Sequence, residues 1–415
     1  MITLSAVTML APFRVRSFRF QWPADLSTSW GIEMENLVLS WFILVQTGSV
    51  VLLTVFWALQ YLGTLLAPMI GMAGDRLGHR RVLCTMRAIY ALLASSVTVL
   101  AFAGLLHPLQ VFAVTTLSGL IRPSDQAMRN ALVAETIPAD RLMATMGVSR
   151  TTADSARIFG ALAGAGLFTA FGMGPVYAVI TCFYAGGFVL TLGIAKPLRN
   201  IQMVGVRPSL WRDLADGLGY VWDTPCSLAA IWLAFLVNLT AFPVTSGLLP
   251  YVARDVYHID QAGLGTLVAS FALGSLLGSI TVSLAGRAIR PARVMLVGAL
   301  VWYTMLLAFV NMPGPGFGRV MLVFAGFAQS LSMVPMATML LNSAGERFRG
   351  RVMGLRMLAI YGVPIGLLVA GALIERVGFP ATCSLYCMVG AALTLLIALR
   401  WRTALWPVDA PANAV

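Results

Sequence analysis

Charge is what this sequence has least of. Only 11% of its 415 residues are Asp, Glu, Lys or Arg, against 59% hydrophobic, and its mean hydropathy is +0.85. A water-soluble domain carries roughly 25% charged residues, so lipid is the solvent for most of this surface. Lysine is almost missing: Lys196 is the only one among 28 cations. The three histidines, His79, His107 and His258, fall at the ends of apolar segments. A proton relay inside the membrane is therefore left to Asp or Glu. The five cysteines, Cys84, Cys182, Cys226, Cys383 and Cys387, are scattered through apolar runs without metal-ligand spacing. They read as small buried hydrophobes, with Cys383 and Cys387 on one helix face. No G-x-x-x-x-G-K-[ST] loop occurs, which excludes ATP driven through such a loop. Nor is there a Ser-His-Asp, metal or cofactor constellation, so neither an enzyme nor a cofactor is expected. The opening MITLSAVTMLAPFRVRSFRF is apolar and then basic, the reverse of a cleavable signal peptide. Residues 1–19 read as a cytoplasmic tail.

What is present is long apolar runs. A spanning helix needs about 20 mainly apolar residues, and unbroken runs favour helices over a barrel, which alternates at period two. Cutting the runs at Gly, Pro and charge predicts twelve spans: 20–46, 50–73, 82–105, 109–130, 142–171, 174–195, 226–250, 262–285, 292–311, 318–342, 350–374 and 379–400. The net charge of +12 suggests nucleic acid only until its positions are read. With the N-terminus inside (Arg14, Arg16, Arg19), one set of loops carries Arg76, Arg80, Arg81, Arg129, Arg141, Lys196, Arg199, Arg207, Arg212, Arg287, Arg290, Arg347, Arg349 and Arg351. Arg400 and Arg402 follow the last span, and the other set of loops has only Arg254, Arg319 and Arg376. This is the positive-inside pattern. It places both termini in the cytoplasm of a bacterial-type inner membrane. The longest loop, 196–225, is polar, and its WRDLADGLGYVWD stretch reads as a short interfacial helix; the loop divides an N-terminal bundle (20–195) from a C-terminal bundle (226–400), with a tail at 401–415. A weak repeat supports two halves. At an offset of 206 residues Arg150 meets Arg356, Gly160 meets Gly366 and Gly172 meets Gly378. Repeated halves are how many secondary transporters are built, with substrate near mid-membrane.

An ionisable side chain at mid-membrane costs roughly 2.5–3.5 kcal/mol on insertion scales. Such residues collect in the first half: Asp25, Glu33 and Glu35 in span one, Arg122 and Asp125 in span four, Asp154 and Arg157 in span five. The second half has no charged residue deep in its spans and offers a Met- and Phe-rich wall. In WGIEMENLVLSW, at about 100° per residue, Asp25, Ser29, Ile32 and Asn36 form one stripe, with Glu33 and Glu35 about 80° to either side. Both acids cannot aim into one cavity. Thr28 and Gly31 share the side of Glu35 and favour it as the cavity-facing acid, where they leave room for water. Ser40 lies on the side of Glu33. Three readings stand for these acids: proton or substrate coupling, a fixed ion pair with Arg122 or Arg157, or solvent exposure. Asp154 and Arg157, at i and i+3, are spaced to pair on their own helix. Arg122 wants an acid from span one or Asp125, and exchange of partners couples a proton to a shape change.

Between spans two and three stands GMAGDRLGHRR, residues 71–81. Gly71 and Gly74 permit close helix approach, Gly78 accepts positive φ, and Asp75 sits among Arg76, Arg80 and Arg81. This stretch resembles the G-x-x-x-D-R-x-G-x-R-R loop of the major facilitator superfamily, at the right place. The resemblance implies an all-α fold of twelve transmembrane helices in two six-helix halves, and a conformational latch at Asp75 and its arginines. RPSDQAMRNALVAETIP is similar to the R-P-x-x-Q motif (Arg122, Pro123, Gln126) of the branch with enterobactin and macrolide exporters. RGRVMGL, opening span eleven, is common there. ARIFGALAGAG resembles the exporter G-P-x-x-G motif, with Ala161 in place of proline and Gly160, Gly164 and Gly166 retained for close packing. The resemblance implies proton-coupled export of a small amphipathic, drug-like molecule by alternating access, from a monomer whose partners are its substrate, protons and the lipid bilayer. The alternatives are a dedicated siderophore or metabolite exporter, to which Arg122 and Arg157 would suit an anion, and a non-transporting membrane sensor or scaffold.

Overall fold

The structure is a computed structural model and describes residues 11–195, 210–285, 290–344 and 349–406. Residues 1–10 of the expected N-terminal tail, Lys196, Arg199, Arg207, Arg287, Arg347 and the tail from 407 lie outside them, as do the side chains of Arg150, Arg212 and Arg349.

Every regular element is helical among the described residues. The order is α1 (Arg16–Thr47), α2 (Val50–Leu59), α3 (Ala67–Leu77), α4 (His79–Phe102), α5 (Pro108–Thr136), α6 (Ala139–Phe171), α7 (Met173–Leu192), α8 (Leu210–Asp223), α9 (Pro225–Thr240), α10 (Gln261–Ala285), α11 (Pro291–Val310), α12 (Pro315–Ser343), α13 (Arg349–Leu358), α14 (Gly362–Val377) and α15 (Phe379–Arg400). Expected span two is α2 and α3, bent by 50° at the break between them. Expected span seven is α9 continued through π-helical turns at Pro243–Gly247 and Val252–Val256. Span eleven is α13 joined to α14 through the 3-10 turn Ala359–Tyr361. α8 is an additional helix in the central loop.

Among the described residues eight helices are long and apolar enough to cross a membrane, and the bent α2–α3 pair makes nine. The three long helices that fall short of that standard are α1, α5 and α6. They hold most of the intramembrane charges, which is why hydropathy alone misses them. With them the described residues are consistent with the twelve expected spans, in an all-α, multi-pass membrane protein.

Local chemistry sets the boundaries. α1 stops at Gly48, whose φ of 65° is left-handed and whose N–H returns to Leu44 O at 2.9 Å. His107 and Gln110 cap the start of α5 reciprocally, with Pro108 in the first turn, where its missing N–H costs nothing. The turns α6–α7 and α14–α15 are each made by one glycine, Gly172 (φ 79°) and Gly378 (φ 83°), the residues that the repeat aligns. Gly160 and Gly366, also aligned, play matching parts: Gly160 packs on α1 at Trp30 and Glu33, and Gly366 on α9 at Leu239.

The chain forms two compact units. The first contains residues 1–202 together with 250–269. In it α1 lies against α6 and α7, α4 against α7, and α5 against α4. Residues 250–269 join this unit although the sequence places 226–250 and 262–285 in the second bundle: the Arg254 guanidinium donates to Leu44 O, and Gly265 packs on Ala161 and Ala165. The second unit contains residues 203–249 and 270–415. Trp302 is fully buried there. Glycines set its close crossings: Gly274 and Gly326 for α10 with α12, Gly298 for α11 with α12, and Gly362 for α9 with the start of α14. Ser275 donates to Gln329 Oε1 at 2.6 Å across α10 and α12. Among the described residues the buried charged side chains, Glu35, Arg87, Asp125, Arg129 and Asp154, all lie in the first unit.

Candidate functional site

The centre of the first unit is a compensated polar network. Arg122, on α5, donates to Glu35 Oε2 and, at 2.5 Å each, to Asn36 Oδ1 and Gln60 Oε1. Glu35 also accepts from Tyr184 at 2.7 Å and Tyr177 at 3.2 Å, both on α7. One carboxylate and one guanidinium thus cancel in charge, and neutral oxygens and hydroxyls add further hydrogen bonds to both. Burial without such partners would cost several kcal/mol per ion. Glycines create the approach. A Cβ at Gly31 would stand 2.9 Å from Tyr184 Cε1, and one at Gly63 would stand 2.1 Å from Leu120 O of α5. The first lets the Tyr184 ring lie on α1 one turn before Glu35. The second brings the end of α2, and with it Gln60, beside Arg122.

A second network lies one to three turns toward the N-terminus of α1. Fully buried Arg87 of α4 donates to Asp25 Oδ1 and Thr191 Oγ1. Arg129 pairs with Asp125 at 2.5 Å on its own helix, approaches Asp25 at 3.7 Å, and donates to Ser29 at 3.1 Å. Two acids again match two arginines.

Glu33 is different. Its carboxylate stands 3.8 Å from Arg157 of α6, and the side chains of Glu33 and Arg157 are 26% and 50% exposed. Trp30 stacks on Phe159 with centroids 6.3 Å apart and flanks the pair.

Several sequence expectations are revised here. Glu35, favoured as the cavity-facing acid, is the buried one, with a side chain 6% exposed. The space that Thr28 and Gly31 leave is occupied by protein. It is filled by α7, with Tyr184 over Gly31 and Gly187 against Thr28. Arg122 takes its acid from span one, and Asp125 pairs with Arg129 instead. Arg129, assigned to a loop, is inside α5 and buried. The ion pair of Arg157 is with Glu33, and Asp154 is buried. Sequence reasoning missed Arg87, Gln60, Tyr177, Tyr184 and Thr191.

The 71–81 stretch forms the α3–α4 turn, where Gly78 has φ 93° as required. Gly74 packs on His79 and Met128, whereas Gly71 faces open space. Asp75 was expected among Arg76, Arg80 and Arg81. Its partner is His79, at 3.4 Å, and its side chain is 75% exposed. The same His79 ring meets Glu135 of α5 at 2.7 Å, so it joins acids from α3 and α5. Arg80 donates to Leu192 O at 2.5 Å, and Arg76 and Arg81 are exposed. Of the expected packing glycines, Gly160 and Gly164 lie against Glu33 and Met34 of α1, while a Cβ added at Gly166 would meet nothing within 4 Å. No cluster of three or more metal-ligating side chains occurs among the described residues.

A helical membrane protein that keeps balanced acids and arginines between its spans has the make-up of a transporter. The family model for the Major Facilitator Superfamily matches residues 6–363 and again 231–413. The chain belongs to that superfamily, and it is a transporter rather than an enzyme. It is 23% identical over 373 residues to the multidrug efflux pump Tap of Mycolicibacterium fortuitum, covering 86% of this chain and 89% of that one. It is 20% identical over 375 residues to macrolide efflux protein A of Streptococcus pyogenes, covering 86% and 91%. Its fold is similar to a POT family transporter in complex with 5-aminolevulinic acid (TM-score 0.73, 13% identity, 94% and 97% covered). It is also similar to a D-xylose–proton symporter (TM-score 0.69, 12% identity, 92% and 97% covered).

Proposed function

We propose that this protein exports small amphipathic, drug-like molecules in exchange for protons by alternating access, as a monomer in the inner membrane with both termini in the cytoplasm. The names of the efflux relatives and the arginine-rich loops support the direction and the orientation. Glu33 is the proton carrier in this reading, and the contrast between the two acids of α1 carries it. Glu35 has a full set of donors and is enclosed, so it holds Arg122 and α7 in place. Glu33 is partly exposed, and its ion-pair partner Arg157 stands 3.8 Å away. Protonation of Glu33 removes one negative charge and releases Arg157. Loss of the proton restores the pair. A neutral Glu33 crosses between states at lower cost than a charged one, and a charged Glu33 beside Trp30 and Phe159 attracts an amphipathic cation. The anion-binding alternative is weaker on this geometry, because Arg122 is already committed to Glu35. Asp75 and the arginines around Gly78 act as a latch at the α3–α4 turn.

The test is transport in reconstituted vesicles, with a lipophilic cationic dye as substrate and an entrapped pH indicator. Wild type is expected to move protons against dye. Glu33→Gln is expected to lose dye accumulation driven by a proton gradient while still equilibrating dye down its own gradient. Full proton-driven accumulation by Glu33→Gln would overturn the assignment.

A further inference from the structure

A groove in the second unit has no part in the reading above. It has a volume of about 460 Å³ and is lined by Trp222, Pro225, Leu228, Trp232, Arg400, Trp401 and Thr403. It opens where α8 ends, α9 begins and α15 ends. Its chemistry is divided. Trp232, Trp222 and Leu228 supply apolar surface, and Trp222 and Trp232 are 66% and 49% exposed. Arg400 is the only ionisable lining residue, and its guanidinium lies 5.7 Å from the Trp401 ring centroid, which holds it at the rim. Asp223 adjoins Trp222 but does not line the groove. Close by, Arg293 lies 5.8 Å from the ring centroid of Trp406.

The start of α9 adds a second feature that suits an anion. Its N-cap residue, Thr224, makes no side-chain cap hydrogen bond, and Pro225 occupies the first turn. First-turn N–H groups are orphan donors at the positive end of the helix dipole. Scattered interfacial tryptophans are ordinary in membrane proteins. Here they wall a concave site that also contains a cation and an uncapped helix start, and its volume falls in the range of small-molecule sites, roughly 300–1,000 Å³. The ligand that matches this combination at a helix end in a membrane has an anionic head and an apolar tail.

We propose that the groove binds an anionic phospholipid. The phosphate is held by Arg400 and the start of α9, and an acyl chain lies along Trp232 and Leu228.

The experiment compares lipid retention and thermal stability for the full chain purified from vesicles of phosphatidylcholine alone or mixed with phosphatidylglycerol. Wild type is expected to retain phosphatidylglycerol through delipidation, read by native mass spectrometry, and to gain Tm from it. Arg400→Gln is expected to lower that retention about fivefold, the worth of one arginine near a lipid surface. Trp232→Leu is expected to lower retention of both lipids. Arg376→Gln, which removes an exposed arginine at the other end of α14 from α13, serves as the charge control and leaves retention unchanged. Glycerol 3-phosphate, a soluble head without a tail, is expected to give no Tm gain. Equal retention of the two lipids by wild type, or equal phosphatidylglycerol retention by wild type and Arg400→Gln, would overturn the proposal. These readouts need no transport, so they stand or fall apart from the assignment of Glu33.

Discussion

The hydroxyl of Tyr184 sits 2.7 Å from Glu35 Oε2, and it reaches that point because residue 31, one turn earlier on α1, has no side chain. Gly31→Ala would place a methyl 2.9 Å from the Tyr184 ring, so ring and helix must part. Overpacking of this kind costs about 1–3 kcal/mol. Tyr184→Phe removes one hydrogen bond and is expected to cost about 1 kcal/mol. Thermal unfolding in detergent should rank wild type above Tyr184→Phe, and Tyr184→Phe above Gly31→Ala.

The two acids of α1 should separate on stability as well as on coupling. Glu35→Gln leaves Arg122, whose side chain is only 11% exposed, without its counter-charge, a loss of about 3–5 kcal/mol. Removing Arg122 as well (Glu35→Gln with Arg122→Gln) should recover part of it. Glu33→Gln breaks a half-exposed pair and should cost about 0–1 kcal/mol. Similar Tm losses for the two single variants would contradict the division of roles.

Glycines of α6 offer an internal comparison. A Cβ at Gly160 or Gly164 would lie 3.0 Å from Glu33 Cβ or 3.1 Å from Met34 Cα, so alanine at either is expected to lower the Tm. Gly166 faces open space, and Gly166→Ala should be neutral or stabilising by up to about 1 kcal/mol through helix propensity.

At the α3–α4 turn, Gly78→Ala forces a side chain into φ 93° and is expected to cost about 1–2 kcal/mol. Asp75→Asn alters an exposed carboxylate, so its stability should stay within about 0.5 kcal/mol of wild type. Its dye export in vesicles should fall if the turn is a latch, and unchanged export would remove Asp75 from that role.

The sequence carried the membrane class, the span positions and the list of charges in α1, α5 and α6, because each follows from composition and from the cost of burying an ion. Partner choice was less accessible. Glu33 and Glu35 are two residues apart and differ in fate only because Gly31 admits Tyr184 on one side and Gly160 admits the α6 backbone on the other. Arg87 left a usable signal, a lone arginine about two turns into an apolar helix, which by itself demands a buried acid. Arg129 misled because it stands near the expected end of span four, while α5 runs on to Thr136. Gln60, Tyr177 and Tyr184 are neutral, and nothing in a linear pattern distinguishes them from ordinary packing residues.

The compensated network also constrains how the protein is made. α1 leaves the ribosome with Asp25, Glu33 and Glu35, but Arg122, the partner of Glu35, comes 87 residues later. At 5–20 residues per second that is a delay of about 4–17 s. During that interval Glu35 carries an insertion penalty of roughly 2.5–3.5 kcal/mol. The first span therefore has to be sheltered at the translocon, or held at its margin, until α5 emerges to neutralise it. Early biogenesis of this chain is thus a cooperative assembly of five or more helices rather than the entry of one helix at a time.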